Sequence, residues 1–395
     1  MTDEEFSISR RDALAGILGL GALAATGSAA WAQKATGLPS QLVWSAYDVG
    51  GAAYNQAVAM GGALKEGAGV DLRVLPGKND VSRTLPLRQG KAGFASTGVG
   101  SYMTQEGVLD FGTKAWGPQP IRVLLAANGQ QNQGVAAAAD SGIKSLADLK
   151  GRRVAWVVGG PSLNNPLGAM LAFAGLTWDD VEKVEFGGFG SAWEGMINDQ
   201  VDACFGTTTT GPAYQAEASP RGVLWLPVPH DDAEGWKRLK EKAPYFIPQH
   251  GTEGATMSKE HPHEGATYPY PVLITYEKQD EDTVYALTRA LVELFPKYKD
   301  SVSGINGWAL EHQRFDWSVP FHNGAVRYFK ELDMWTDERE AHNASLLQRQ
   351  DVLQKAWQEI MDQNPSDADF PEAWLRVRAQ RLQEAGMEVV YEPAA

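Results

Sequence analysis

The chain has 395 residues, a formal charge of −14 at pH 7, 43 % hydrophobic residues and a single cysteine. So acidic a surface argues against nucleic acid or anionic lipid as a partner, and the lone Cys204 excludes an internal disulfide. The length is too great for one core and suits two lobes.

Taken in chain order, the first feature is Ser9-Arg10-Arg11-Asp12-Ala13-Leu14, an Ala/Gly/Leu run, then Ala30-Trp31-Ala32 and Gln33. A basic start, a short apolar stretch and small residues before a cleavage point define a signal peptide. The adjacent arginines resemble the twin-arginine export signature, although Ala13 stands where a bulky apolar residue is usual. The run is about long enough to span a bilayer; its Ala/Gly content and cleavage pattern favour removal instead. Residues 1–32 are therefore expected to direct the chain to the periplasm and to leave a mature protein of 363 residues starting at Gln33. Four acidic and two arginine side chains leave with them, so the charge moves to −12. No cysteine follows the signal, so no lipid anchor or other membrane attachment is expected. Cys204 lies in the apolar run 201–205 and reads as a packed, inert thiol.

The mature sequence alternates short apolar runs with helical stretches, an α/β pattern. Strands are expected at 41–45, 71–75, 92–97 and 121–127, with helices at 53–66 and 83–89. The run 133–139 opens a second lobe. There, Ser145 caps a turn closed by Gly151; strand 153–158, a polar loop to 166 and helix 167–174 follow. Then come strand 184–186, helix 191–199, strand 203–207 and a threonine-rich loop. Residues 229–266 are rich in Pro, Gly and His and read as irregular. Strand 271–276 returns to the first lobe, followed by an amphipathic helix at 280–294 with Val284, Leu287, Leu291 and Leu294 on one face. This gives lobe one at 41–128 and 268–334, lobe two at 129–267, and a helical extension at 335–395 anchored by Trp357 and Trp374. Two crossings between lobes make a hinge above a cleft.

The order of motifs resembles the TAXI family, the solute receptors of tripartite ATP-independent periplasmic (TRAP) transporters. The resemblance covers about 41–334. It rests on Gly50-Gly51-Ala52-Ala53-Tyr54, Gly61-Gly62-Ala63-Leu64, Leu146 to Val154 before Gly159-Gly160-Pro161-Ser162, Ala174 to Thr177, Asp202 to Phe205, Val284 to Thr288 and Pro320 to Glu331. It implies a periplasmic binding protein of type II: two α/β lobes, a two-strand hinge and an interlobe ligand cleft. It also implies a TRAP-type membrane permease as partner, with no cofactor. The chain departs from the family pattern at Arg83 (usually asparagine), at Gly98 (near a usual aspartate) and at Asn323 (usually proline).

Loops at the carboxyl ends of strands, beside helix N-termini, are where open α/β sheets bind ligands. The loops 46–54, 76–83, 97–102, 159–165 and 207–211 supply the candidates Tyr54, Ser82, Arg83, Thr97, Ser162, Asn164, Asn165, Thr207 and Thr208. Hydroxyls, amides and one guanidinium suit a small organic anion: a dicarboxylate, a 2-oxoacid or an acidic amino acid. Arg83 could hold a carboxylate bidentately or could be a surface arginine beside Asp80. Tyr54 could cover the ligand or pack at the helix start, and Ser162, Asn164 and Asn165 also suit capping. Trp193 and Tyr270 are further cleft aromatics to consider. His250, His261, His263 and Glu264 share an irregular segment without metal-ligand spacing, so no metal is expected, and His322 reads as a buried hydrogen-bonder. No nucleophile elbow or phosphate loop occurs, so no enzymatic activity is expected. The alternative readings are a binding protein of an ABC importer, a sensory solute receptor and, behind these, an enzyme on the same scaffold.

Overall fold

The structure is a computed structural model and describes residues 37–391; the expected signal peptide, 1–32, lies outside them. The described residues begin with strand β1 (Gln41–Ala46), helix α1 (Ala52–Ala68), β2 (Asp71–Pro76), α2 (Asp80–Arg88), β3 (Phe94–Thr97), α3 (Gly100–Glu106) and β4 (Ile121–Ala126). The chain then crosses to β5 (Gln133–Ala138), β6 (Arg153–Val157), α4 (Pro161–Phe173), β7 (Glu182–Phe186), α5 (Phe189–Ile197), β8 (Ala203–Thr207), α6 (Gly211–Glu217) and β9 (Val223–Trp225). After α7 (Ala233–Lys242), β10 (Ile247–Gly251) and β11 (His263–Thr267), it returns through β12 (Val272–Tyr276). The rest is helical: α8 (Glu281–Glu293), α9 (Phe295–Tyr298), α10 (Asn323–Glu331), α11 (Asp337–Gln363) and α12 (Phe370–Glu384).

Two five-stranded sheets result, ordered β2-β1-β3-β12-β4 and β7-β6-β8-β5-β9. The plan is the same in each: parallel strands, plus one antiparallel strand that has arrived from the other lobe, β12 between β3 and β4 or β5 between β8 and β9. Each lobe thus completes its sheet with a strand reached through the hinge, so neither sheet closes without the crossing. The two passages are hydrogen-bonded to each other, Ala127 N–H to Pro271 O at 2.9 Å and Tyr270 N–H to Ala127 O at 2.8 Å. Central strands such as β5 are buried along their whole length, which is why they read as unbroken apolar runs. This is the two-lobed α/β fold of type II periplasmic binding proteins.

Several boundaries differ from the expectations. Helix α2 starts at Asp80, because Asn79 accepts from Ser82 N–H while the Ser82 hydroxyl accepts from Asn79 N–H, a capping box. Helix α4 starts at Pro161 rather than 167; proline at the first position is pre-set for helical φ and gives up only an N–H that would be unpaired anyway. The loop after β3 is already helical from Gly100, and the loop after β8 from Gly211. The segment 229–266 is regular, holding α7 and the antiparallel hairpin β10–β11.

The extension packs on lobe one. The Trp357 and Trp374 rings meet edge-on at 5.0 Å, and Trp374 Nε1 donates to Gly107 O at 2.6 Å. The fully buried Glu106, at the end of α3, receives Arg349 from α11 at 2.7 and 2.8 Å and Arg378 from α12. The tail then reaches lobe two, where the Tyr391 hydroxyl donates to Asn165 Oδ1 at 3.3 Å.

Candidate solute-binding cleft

The lobes are closed on each other. Asp80 N–H donates to Gly159 O at 3.0 Å, Phe189 N–H to Lys78 O at 3.0 Å and Gly211 N–H to Gly50 O at 3.1 Å. The Asp80 carboxylate, fully buried at the start of α2, receives Ser162 N–H at 2.8 Å and the Ser162 hydroxyl at 2.7 Å from the start of α4. Arg83, one turn further along α2, pairs with the same carboxylate. Its guanidinium lies over the Tyr47 ring, 4.5 Å from the centroid.

Between the lobes lies a void of about 430 Å³ counted out to its mouth, of which about 30 Å³ is wide enough for the centre of a water molecule. Lobe one contributes Tyr47, Gly51, Ala52, Arg83, Gly98 and Val99; lobe two contributes Ser162, Leu163, Phe189, Phe205, Thr207 and Thr210; the hinge region adds Gln133, Tyr268 and Tyr270. The cavity is therefore aromatic on several sides with a few polar groups, the usual make-up of a small-molecule site. Four buried polar atoms of its lining have no partner: the Tyr47 hydroxyl, Arg83 Nε, Gln133 Nε2 and Thr210 Oγ1. All can donate hydrogen bonds. Burial, with a smaller push from Asp80, raises the Tyr47 hydroxyl well above the usual tyrosine range, so it too keeps its proton. The first turn of α1 opens on the same space, and its N-cap, Gly51, supplies no side-chain cap. Its N–H groups and dipole favour negative charge there.

Of the candidates, Arg83, Ser162 and Thr207 line this cavity. Arg83 is 2 % exposed, not a surface side chain. The other six do not line it. Tyr54 sits on the part of α1 that packs against the main core. Ser82 is exposed and occupied by the α2 capping box. Thr97 is buried at the end of β3, beneath the lining residues Gly98 and Val99. The Asn164 side chain is spent on the β6 backbone, accepting from Val157 N–H at 2.9 Å and donating to Val157 O at 2.7 Å. Asn165, next along the same helix, faces away and accepts from the Tyr245 hydroxyl at 2.9 Å. Thr208 points toward the β10–β11 side, donating to Glu253 O at 2.7 Å and accepting from Asn132 N–H at 3.1 Å.

Sequence reasoning missed Tyr47, Gln133, Phe189 and Phe205 and left Thr210 outside the candidates, although it is fully buried in the lining. Tyr270, considered as a cleft aromatic, is one; Trp193 is core, its ring 5.9 Å from that of Trp225. His322 is buried and caps α10, its Nδ1 accepting from Gly324 N–H at 3.1 Å.

A closed, two-lobed α/β molecule with a cavity between its sheets is built as binding proteins of type II are built. The sequence profile of the NMT1-like family matches residues 48–332, and the chain belongs to that family. Solved structures similar to it include an ancestral arginine-binding protein bound to arginine, at 16 % identity over 66 % of this chain and 99 % of that one, TM-score 0.42. Another is the alkanesulfonate-binding protein SsuA from Xanthomonas axonopodis pv. citri bound to MOPS, at 14 % identity over 75 % and 93 %, TM-score 0.40. A third is the periplasmic aliphatic sulphonate binding protein SsuA from Escherichia coli, at 15 % identity over 90 % and 93 %, TM-score 0.38. Among the described residues no helix is long and apolar enough to cross a membrane.

Proposed function

We propose that the chain is a periplasmic solute receptor that closes its lobes over a small organic anion and presents the closed form to a TRAP-type membrane permease. The observation that carries this reading is the set of unpaired buried donors, Arg83 Nε, Gln133 Nε2 and Thr210 Oγ1, around one cavity. A buried donor without a partner costs about 1–3 kcal/mol, and carboxylate oxygens would recover that cost. Asp80 already receives Ser162 and Arg83, which leaves the Nε edge of Arg83 for a ligand. The void favours the smaller members of the class, short 2-oxoacids and dicarboxylates, over an acidic amino acid with its additional ammonium group.

The division into 41–128 with 268–334, 129–267 and 335–395 fits the two hinge passages. The periplasmic address rests on residues 1–32, and the TRAP partner on the resemblance of His322 to Glu331 to the TAXI pattern. A receptor rather than an enzyme is favoured because Ser162, the serine of the lining, is occupied in joining the lobes through Asp80.

The test is a thermal-shift screen of the mature protein against organic acids and amino acids, followed by calorimetric titration of the best hit. A ligand at a hundred times its Kd adds about 2.7 kcal/mol of stability. Arg83→Ala and the uncharged Thr210→Val should each weaken that ligand about tenfold or more. Unchanged affinity in both, or stabilisation by cationic solutes alone, overturns the reading. A permease gene of many spans beside this one supports the TRAP partner, and an ATPase gene assigns the receptor to an ABC importer instead.

A further inference from the structure

The segment 229–266 folds so that residues scattered in sequence meet on one hairpin face. In the β10–β11 register His250 stands directly opposite Glu264, and Gly251 opposite His263. Side chains alternate along a strand, so His250 and Glu264 share a face while His263 turns to the other, where its Nδ1 lies 3.0 Å from Asn132 Nδ2. The loop after β9 brings His230 onto the first face. Its ring centroid is 4.6 Å from that of His250, and its Nδ1 is 3.9 Å from Glu264 Oε1. One ligand atom from each of His230, His250 and Glu264 can be chosen so that all lie within 4.8 Å of one another.

We propose that His230, His250 and Glu264 form a binding site for one divalent transition-metal ion of the zinc class. Two imidazole nitrogens and one carboxylate oxygen are the donor set of such ions, whereas calcium and magnesium call for oxygen alone. Tetrahedral zinc places its ligand atoms roughly 3.3–3.5 Å apart at bond lengths near 2.0–2.1 Å. The 3.9 Å pair is therefore within a small side-chain adjustment of that geometry. His230 is already oriented for the task. Its Nε2 lies 2.9 Å from Gly265 O, and donating Nε2–H there leaves the Nδ1 lone pair for the metal, the arrangement in which ligating histidines are commonly held. The Glu264 carboxylate is fixed by accepting from His230 N–H at 2.8 Å. The loop is fixed in turn by Val228 N–H to Glu264 O at 3.0 Å and Trp236 Nε1 to Pro229 O at 3.0 Å. His250 is exposed and Glu264 half-buried, so an ion has access and a fourth position remains open to water.

The hairpin also supports the hinge. Gln249 Nε2 donates to Gln131 O at 2.8 Å, and the Thr267 hydroxyl donates to the same oxygen at 3.1 Å. A bound ion would clip β10, β11 and the β9 loop together beside the outgoing hinge strand.

The experiment is titration of chelator-treated mature protein with zinc chloride by calorimetry, with melting temperature as a second readout. The expected result is one zinc ion per chain and a raised melting temperature, with no response to calcium or magnesium. His250→Ala, an exposed substitution that should leave the metal-free melting temperature unchanged, should weaken zinc binding at least tenfold, and His230→Ala likewise. His261→Ala, exposed in the turn of the same hairpin, should leave it unchanged. Zinc affinity that survives His250→Ala, or that follows His261 instead, overturns the proposal.

Discussion

The Glu106→Gln substitution measures what holds the C-terminal extension to lobe one. Glu106 and Arg378 are both 0 % exposed and the Arg349 side chain 12 %, and the two arginines converge on the one carboxylate. They also carry the tail, Arg378 donating to Val390 O at 2.7 Å and Arg349 to Glu388 O at 2.9 Å. Replacing the carboxylate with a neutral amide leaves two guanidinium charges side by side away from water. Breaking a buried pair in this way costs about 3–5 kcal/mol. With an unfolding entropy of roughly 0.75 kcal/mol/K for a chain of this size, the melting temperature should fall by about 4–7 °C. Circular dichroism of the mature protein and the variant reads this directly. The pair Lys297–Glu66 serves as a control: its side chains are 42 % and 70 % exposed, so Glu66→Gln should shift the melting temperature by about 1 °C or less. There is a signature in pH as well. Burial pushes Glu106 up, but the charges of Arg378 and Arg349 and their hydrogen bonds outweigh it, so its carboxyl titrates below the ordinary value of 4.5. A depressed carboxylate contributes stability that is complete above 4.5 and is lost as pH falls through the lower folded-state value. Glu106→Gln should therefore flatten the acid limb of the stability curve. A melting temperature within 1 °C of the parent, or an acid limb of unchanged steepness, refutes the account.

Closure itself can be hindered at one atom. A Cβ on Gly211 would lie 2.7 Å from Gly50 O, across the lobe contact, so Gly211→Ala should weaken ligand binding about tenfold or more while leaving the ligand-free melting temperature near the parent's; equal affinity by calorimetry would show that this contact is not made in the bound form. Burial lowers the pKa of both His263 and His322 below 6.5, against weaker backbone hydrogen bonds that raise them. Each must be neutral in the fold, so the stability they contribute is complete above about 6.5 and is lost as pH falls toward their folded-state values. Denaturant titrations at pH 7.5 and 5.5 should show the difference, and His322→Asn, which keeps a capping side chain, should reduce it. Burial also raises the Cys204 thiol well above its ordinary range. A thiol reagent should therefore label the native protein only at the rate at which it unfolds, and rapid labelling without denaturant would contradict its buried position.

Most of the fold could be read from the residues because its central strands are buried on both faces. Runs such as Val123-Leu124-Leu125-Ala126-Ala127 and Ala203-Cys204-Phe205 are apolar without interruption and end at polar or glycine positions. The elements that escaped notice are those whose local chemistry speaks against them. Strand β9 is three residues long and exposes Leu224. Helix α7 turns only Gly235, Trp236 and Leu239 inward and, apart from Ala233, is otherwise charged. Strand β10 contains Pro248, Gln249, His250 and Gly251, all poor strand formers. It is held by pairing with β11 and by the hinge contact of Gln249, both of which are tertiary.

The site was less legible than the fold, and the reason is closure. The expectation placed ligand groups in loops at strand ends; Arg83, Ser162 and Thr207 do line the cavity, but from the first turns of α2 and α4 and the last residue of β8. Within a loop, however, residue type does not say which side chain turns inward. Asn164 and Ser162 are two positions apart on α4, yet one is tied to the β6 backbone and the other joins Asp80 across the cleft. That difference exists only because α4 begins at Pro161, which fixes the helical phase of every residue after it. The aromatic walls were hidden for a second reason. Tyr47 and Phe189 stand in different lobes and come within 5.4 Å, ring to ring, only where the lobes meet; in sequence they are 142 positions apart and each resembles an ordinary core residue. The same holds for the charge balance. Arg83 invited the reading of a guanidinium free to clasp a carboxylate, whereas the closed structure shares it with Asp80 through Nη2 and leaves the buried Nε without a partner. The ligand's hold on Arg83 is therefore added to an existing ion pair rather than made to a free guanidinium. The affinity that separates the closed state from the open one must then be spread over Gln133, Thr210 and the start of α1 as well, since a ligand shifts the lobes only by what it gains in the closed form over the open one.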